Sequence, residues 1–344
     1  MKIQAAVLYK LNNPLVIEDL QVQKLKKGQV LVKIYYSGVC RSQLMEVDGK
    51  RGEDNWLPHL LGHEAVGMVI DFHNSVTKVK KGDEVILGWL KTEGISSCPI
   101  FLKNNKNQLV NAGPVTTFSN YSVVSEDRII IKPKILDYRE SILFGCAIPT
   151  GAGLVFNQIN FKKNNKILIF GLGGIGLSAL MALIANNCKD ITVVDISPDK
   201  LKYAKNMGIN KIFNIKDFTS NMESLLNSFD ICIESTGNIK NIEFGFNLIK
   251  FFGGSLYFVS HPENGKFIKI NPHDLIKGKN IFGSWGGNTR PDIDIKKFAN
   301  KLSINKKINL SSLLSDDYSL EEINNIFKLL RNNRVFRPVI KMEH

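Results

Sequence analysis

The sequence predicts an α/β protein of two domains, a β-rich domain and a doubly wound parallel sheet with helices on its faces. Three observations predict it. The chain has 344 residues, 44% hydrophobic and 22% charged, which exceeds what one core usually serves. Its rhythm changes at Lys166, from short strands broken by turn residues to strand and helix in alternation. A glycine run, GLGGIG, lies between the strand-like KILIF and an apolar helix-like stretch.

In the first part, AAVLYK, QVLVKIYYSG, GMVIDF, DEVILGWL and YSVVSED read as strands at intervals that suit a partly closed all-β barrel. From Lys166, KILIF, DITVVDIS, KIFNI, FDICIES, GSLYFVS and KNIFGSWG read as strands of the second part. Most are separated by helical stretches, LSALMALIANN, PDKLKYAKNMG and NIKNIEFGFNLIKFFG, and this alternation implies right-handed crossovers in a parallel sheet. The tail reads as two helices, IDIKKFANKL and LEEINNIFKLLRNN, then a strand, RPVIKM, and is expected to return to the first domain. The expected domains are therefore 1–147, 148–288 and a returning segment 289–344.

Composition narrows the partners. The net charge is +13, but the lysines are dispersed in short runs (KLKKG, KVKKG, FKKNNK, INKKIN) without interleaved aromatics, so nucleic acid is not expected. The general positive field favours anionic substrates. The longest apolar stretch, Ile175 to Ala185, is too short for a membrane span, and no long apolar region follows Met1 to Gln4, so no membrane partner and a cytoplasmic location are expected. Five cysteines, at 40, 98, 146, 188 and 232, are odd in number and irregular in spacing, which favours thiols or metal ligands over disulfides.

Gly171, Gly173 and Gly176, with Gly174 beside them, form G-x-G-x-x-G after a strand and at the start of a helix. Such glycines permit a tight turn and let a pyrophosphate approach backbone amides at the positive helix end. Asp195 closes the next strand, 24 residues after Gly171, where a carboxylate accepts from ribose hydroxyls and repels a 2′-phosphate. NAD is thus favoured over NADP; the competing reading of Asp195 is a helix cap ahead of Ser197 and Pro198.

Upstream lie SGVCRSQ with Cys40, LGHEAVG with His63 and Glu64, and FGCAIPTGAG with Cys146. Two thiolates and an imidazole suit three positions of a tetrahedral zinc, the fourth being open in catalytic sites. With VKKGDEV, GLGGIG and VVDIS, these segments resemble, in order and over nearly the whole chain, the zinc-dependent alcohol dehydrogenases of the medium-chain dehydrogenase/reductase family. The resemblance implies a GroES-like catalytic domain with a Rossmann domain inserted, and hydride exchange between NAD(H) and a small-molecule alcohol, aldehyde or ketone. It implies one catalytic zinc on Cys40, His63 and Cys146, with Glu64 behind or transiently beside the metal. It places Ser42 on the proton path toward the cofactor ribose, Thr150 near the nicotinamide, and Arg41 and Arg337 at the pyrophosphate, a task that suits the guanidinium fork. A homodimer or homotetramer is also implied, through the edge strand KNIFGSWGG.

Several residues depart from that family's pattern. Gln43 stands where an aspartate usually receives the second N–H of the zinc-bound histidine; its amide oxygen is expected to take that role without charge, with Glu46 as a nearby compensation. Met45 occupies a position where some relatives carry a histidine that completes the proton relay. The segment from Trp89 to Thr117 carries only Cys98, where many relatives hold a structural zinc on four cysteines, so no structural zinc is expected. Packing of Trp89, Ile100, Phe101 and Leu102 is expected to hold this lobe. Cys98, Cys188 and Cys232 read as structural thiols, and Trp56, Trp89, Thr116 and Trp285 as candidate pocket residues. The rivals are a zinc-free quinone or enoyl reductase of the same superfamily, which needs no ligand trio, and an inactive cofactor-binding relative.

Overall fold

In the computed structural model, which describes residues 1–220 and 222–344, QVLVKIYYSG forms the strand Gln29–Gly38. It is apolar along most of its length because both of its edges are paired: with Ala65–Phe72 and with Tyr121–Ser125. Its last residues also pair with Val339–Lys341, so the C-terminal strand completes a sheet begun near the N-terminus. A separate closed barrel is formed by Lys2–Leu8, Val16–Gln21, Phe101–Asn104, Leu109–Asn111 and His59–Leu60. Leu20, Leu60, Ile100, Leu102 and Val110 fill its core. These elements belong to one compact unit, residues 1–146, 290–299 and 310–344.

Two carboxylates help to fasten the lobe at 89–117, beside barrel pairing and apolar packing. Ile100 and Leu102 are buried as expected, but Phe101 is 42% exposed and Trp89 contributes its carbonyl, which accepts from Arg128. The fully buried Glu126 accepts from the amides of Thr77 (2.7 Å), Lys78 (2.6 Å) and Ile95 (2.8 Å). Asp127 accepts from the hydroxyls of Ser96 (2.7 Å) and Ser125 (2.5 Å). Glu126→Ala removes the acceptor of three partly buried backbone donors and is expected to destabilise by about 1–3 kcal/mol. Hydrogen exchange at residues 77–78 and 92–98 checks this; unchanged protection there refutes it.

The second unit comprises 147–289 and 300–309. Residues 300–309 therefore depart from the expectation that the whole tail returns to the first domain. Its parallel strands run in the order Lys211–Asn214, Asp190–Asp195, Lys166–Phe170, Ile231–Glu234, Ser255–Phe258 and Asn280–Gly283. The chain starts in the middle and winds outward both ways, so the order reverses beside Lys166–Phe170, where ligands bind in such sheets. The helix Gly174–Ala185 is buried from Gly176 to Ile184, which explains its continuous apolar sequence. It starts one turn before the predicted LSALMALIANN. The helix Ile239–Leu248 stops short of the predicted FFG, where Phe252 takes φ +58 and is 89% exposed.

Glu234 ends the strand Ile231–Glu234, and burial pushes its carboxyl up to about 7, against hydrogen bonds from Thr236 and Gly237. Raised from 4.5, it stabilises the fold fully only below that value and loses the contribution as pH rises through about 7. Wild type minus Glu234→Gln is therefore expected to fall by about 3 kcal/mol in unfolding free energy between pH 4 and pH 8. Urea unfolding at both pH values measures it; a difference that grows with pH refutes it.

Candidate functional site

Strand register brings the site together. Ser37 pairs with Ala65, and the Gly38 amide donates to Glu64 O at 3.0 Å, so the exit of one strand lies against the entry of the next. Cys40 caps the helix Arg41–Val47 just after that exit, and His63 and Glu64 sit just before Ala65–Phe72. Cys146 follows the 3-10 turn Ile142–Gly145. The ligating atoms of Cys40, His63 and Cys146 all lie within 4.8 Å of one another, with His63 Nε2 3.2 Å from Cys146 Sγ.

Hydrogen bonding from Cys146 holds the Cys40 thiol well below its ordinary range, overcoming burial, with the charges of Arg337 and His63 assisting. The same pairing, together with burial, pushes Cys146 well above it. Two buried sulfurs and a ring nitrogen at this separation are a donor set that fits zinc.

Glu64 is fully buried and is not in that cluster; its Oε2 accepts from Arg337 Nη2. Burial is the largest influence on its carboxyl and pushes it up, while Arg337 pulls the other way. Arg337, 4% exposed, reaches this place because Val339 pairs with Gly38 and Pro338 O accepts from the Val39 amide at 3.0 Å. In this structure Arg337 serves as the counterion of Glu64, since an unpaired buried carboxylate costs several kcal/mol. Glu64, expected as an occasional metal ligand, gives Oε2 to Arg337, while its Oε1 is buried without a hydrogen-bond partner. Arg41 is exposed, and its Nη1 donates to Asn333 Oδ1 at 2.7 Å. Ser42 Oγ is buried without a hydrogen-bond partner.

Gln43 is turned opposite to expectation. Its Oε1 accepts from the Cys40 amide at 2.8 Å, and so its Nε2 faces His63 Nδ1. The Cys40 amide can only donate, and that fixes the orientation. An imidazole that ligates through Nε2 carries its proton on Nδ1, where it meets an amide nitrogen instead of an oxygen. Partners at this position typically change metal affinity or activity 10–100-fold. Glu46 lies with Asp54 and His59, and does not replace Gln43.

In the second unit Gly171 has φ +86, and a Cβ on Gly176 would stand 1.9 Å from Gly171 O, so both positions require glycine. A Cβ on Gly173 meets nothing within 4 Å, which leaves room beside the backbone where the helix Gly174–Ala185 begins. Asp195, 7% exposed, accepts from the Leu172 amide (2.5 Å) and the Ser197 amide (2.8 Å). It therefore ties the glycine loop to its own strand end and also makes the turn toward Pro198. Thr150 is 4% exposed on the helix Ala147–Gly153.

The first unit holds a cavity of about 480 Å³ lined by His63, Trp56, His59, Cys98, Phe101 and Thr116, among others. Trp56 and Thr116 thus share one cavity, as proposed for pocket residues, whereas Trp89 is not among its lining residues and Trp285 belongs to the other unit. Of the three remaining thiols, Cys232 is buried, Cys188 half-buried and Cys98 exposed. His59 and Asp54 drew no attention in the sequence, since their partner Glu46 belongs to a different element.

Known proteins resemble both halves of the chain. Residues 26–134 match the alcohol dehydrogenase GroES-like domain and residues 174–303 the zinc-binding dehydrogenase domain, more than half of the chain between them. The class-3 alcohol dehydrogenase of Zea mays is 28% identical over 372 residues, covering 99% of this chain and 97% of that one. An S-(hydroxymethyl)glutathione dehydrogenase of Synechocystis sp. is 27% identical over 373 residues, covering 99% of this chain and 100% of that one. The crystal structure of benzyl alcohol dehydrogenase from Acinetobacter calcoaceticus superposes over the full length of both chains with a TM-score of 0.86 at 25% identity. No helix among the described residues is long and apolar enough to cross a membrane. Full-length likeness in both halves, in the same order, means that the chain belongs to the zinc-type alcohol dehydrogenases of the medium-chain dehydrogenase/reductase family.

Proposed function

We propose that the chain is an NAD(H)-linked alcohol dehydrogenase with one catalytic zinc held by Cys40, His63 and Cys146. The observation that carries this reading is the gathering of those three donors within 4.8 Å, both thiols buried and the imidazole half-buried, from three separate segments of one unit. When bound, zinc supplies a Lewis acid at an open position and NAD supplies the hydride acceptor. The chain's own residues prepare both. Arg337 neutralises Glu64 beside the thiols, so the ligand charge is not raised by a bare carboxylate. Ser42 offers a buried hydroxyl with no other partner, suited to hold the proton of a substrate alcohol. Gly171 and Gly176 close the turn, Gly173 with Gly174 leaves room for a pyrophosphate at the start of the helix, and Thr150 lies at the nicotinamide end. Asp195 presents carboxylate lone pairs beyond its two backbone bonds, and these favour NAD over NADP. Apolar walls of Trp56, Leu60, Ile100 and Phe101 receive the body of a primary or secondary alcohol. A cytoplasmic homo-oligomer is part of the same proposal, supported by the edge position of the strand Asn280–Gly283, where Phe282 is 43% exposed.

The test is NADH formation from a panel of alcohols, on protein of measured zinc content, before and after chelation, with NAD and NADP compared. Activity that depends on zinc and a higher kcat/KM with NAD are expected. Full turnover in a verified metal-free sample removes the zinc assignment, and a preference for NADP removes the role of Asp195.

A further inference from the structure

Glu46, Asp54 and His59 form a second gathering of ligand-type side chains, which the proposed reaction does not use. Their ligating atoms lie within 4.8 Å of one another. Glu46 comes from the helix Arg41–Val47, Asp54 from the loop that follows, and His59 from the short strand His59–Leu60. Glu46 and His59 both line the cavity that contains His63.

Hydrogen bonding decides what this cluster lacks. The Trp56 amide donates to Asp54 Oδ1 at 2.9 Å, which turns Oδ2 toward His59 Nε2 at 2.8 Å. On the other side of the ring Nδ1 lies 2.8 Å from Leu60 O, and a carbonyl only accepts, so Nδ1 carries a hydrogen. A neutral ring then directs the Nε2 lone pair at a carboxylate oxygen that also only accepts. Two acceptors at that distance require a cation, which is either a proton or a metal ion.

Glu46 weighs toward the metal. It adds a second negative charge that one proton leaves uncompensated, and Arg51 approaches it only to 3.8 Å from a side chain 42% exposed. A divalent ion balances two carboxylates and a neutral imidazole. The N–H bond from Nδ1 to a backbone carbonyl is also the arrangement that orients metal-ligating histidines. Thr116 provides an independent sign. It is 5% exposed, lines the same cavity, and its hydroxyl is buried with no hydrogen-bond partner.

We propose that Glu46, Asp54 and His59 form a second site for a divalent cation of the zinc class, opening into the cavity of the first unit. Zinc at about 2.0–2.2 Å from nitrogen and oxygen ligands separates them by about 3.4 Å, so Asp54 and His59 part slightly and the half-buried Glu46 closes in. One nitrogen and two oxygens bind such an ion less tightly than two thiolates and an imidazole do. The chain then takes up two ions of unlike chemistry.

Cobalt(II) separates them, because thiolate ligation gives strong near-ultraviolet charge-transfer absorption and an N/O site gives only weak visible bands. Metal-depleted full-length protein is titrated with cobalt(II), and bound metal is counted by mass spectrometry. Two equivalents are expected, the first with the thiolate absorption and the second without. His59→Gln and Asp54→Asn are each expected to weaken the second at least about tenfold while the thiolate titration stays unchanged, which also shows that the variants fold. Saturation of the wild type at one equivalent, or a second equivalent that survives both substitutions, overturns the proposal. Absence of the thiolate absorption from the wild type would instead count against the catalytic site, so the two failures are distinguishable.

Discussion

Replacing Arg337 with methionine is expected to destabilise the protein by about 3–5 kcal/mol, the cost of leaving one member of a buried ion pair alone. Arg337 is 4% exposed and Glu64 fully buried, so water cannot take over from the lost guanidinium. Glu64 then has no charged partner, because its other oxygen is already buried without a hydrogen bond. The double variant Glu64→Gln with Arg337→Met is expected to recover much of the loss, since it removes both charges together. Urea unfolding of the wild type, the two single variants and the double variant measures the coupling directly. Additive losses, with no recovery in the double variant, would show that the pair is not the source of the cost. A second consequence concerns the thiols. Arg337 helps hold Cys40 below its ordinary range, so its loss is also expected to weaken zinc binding.

Cys146→Ser is expected to abolish tight zinc binding and lower kcat/KM at least about 10³-fold, the size of several kcal/mol of lost Lewis-acid stabilisation. A serine hydroxyl keeps its proton where a thiol gives it up, so the trio loses one anionic donor and retains its shape. The contact of His63 Nε2 with the sulfur, now 3.2 Å, is replaced by one to a weaker ligand. Cys188→Ser is the control, a half-buried thiol of the second unit, outside the cluster. It is expected to keep its zinc and its activity. Metal analysis on both variants, beside NADH formation, separates loss of metal from loss of fold. A zinc-replete and fully active Cys146→Ser would remove Cys146 from the ligand set.

Much of the architecture was legible because local physics encodes it. Period-two and continuous apolar runs marked the parallel strands, and Lys166–Phe170 and Asp190–Asp195 lie where KILIF and DITVVDIS put them. GLGGIG was legible for the same reason: the left-handed φ of Gly171 and the close approach at Gly176 are demands that only glycine meets. Helix ends were less legible. The predicted helix began after the glycines because glycine disfavours helix interiors, yet the first turn of Gly174–Ala185 includes two of them. Burial of that helix overrides the propensity.

The sequence by itself determined the kinds of donor present, Cys40, His63 and Cys146, and the loop able to accept a dinucleotide. Only the tertiary structure decided which groups face one another. The register that sets Ser37 against Ala65 and Val339 against Gly38 delivered Arg337 to Glu64, nearly the length of the chain away. The Cys40 amide turned the oxygen of Gln43 away from His63, and Glu126 and Asp127 tied the lobe down at Ile95 and Ser96. The helix Arg41–Val47 and the strand His59–Leu60 brought Glu46 to Asp54 and His59. Such meetings depend on strand pairing and on the single direction each buried donor allows, and neither is written in the spacing of residues along the chain.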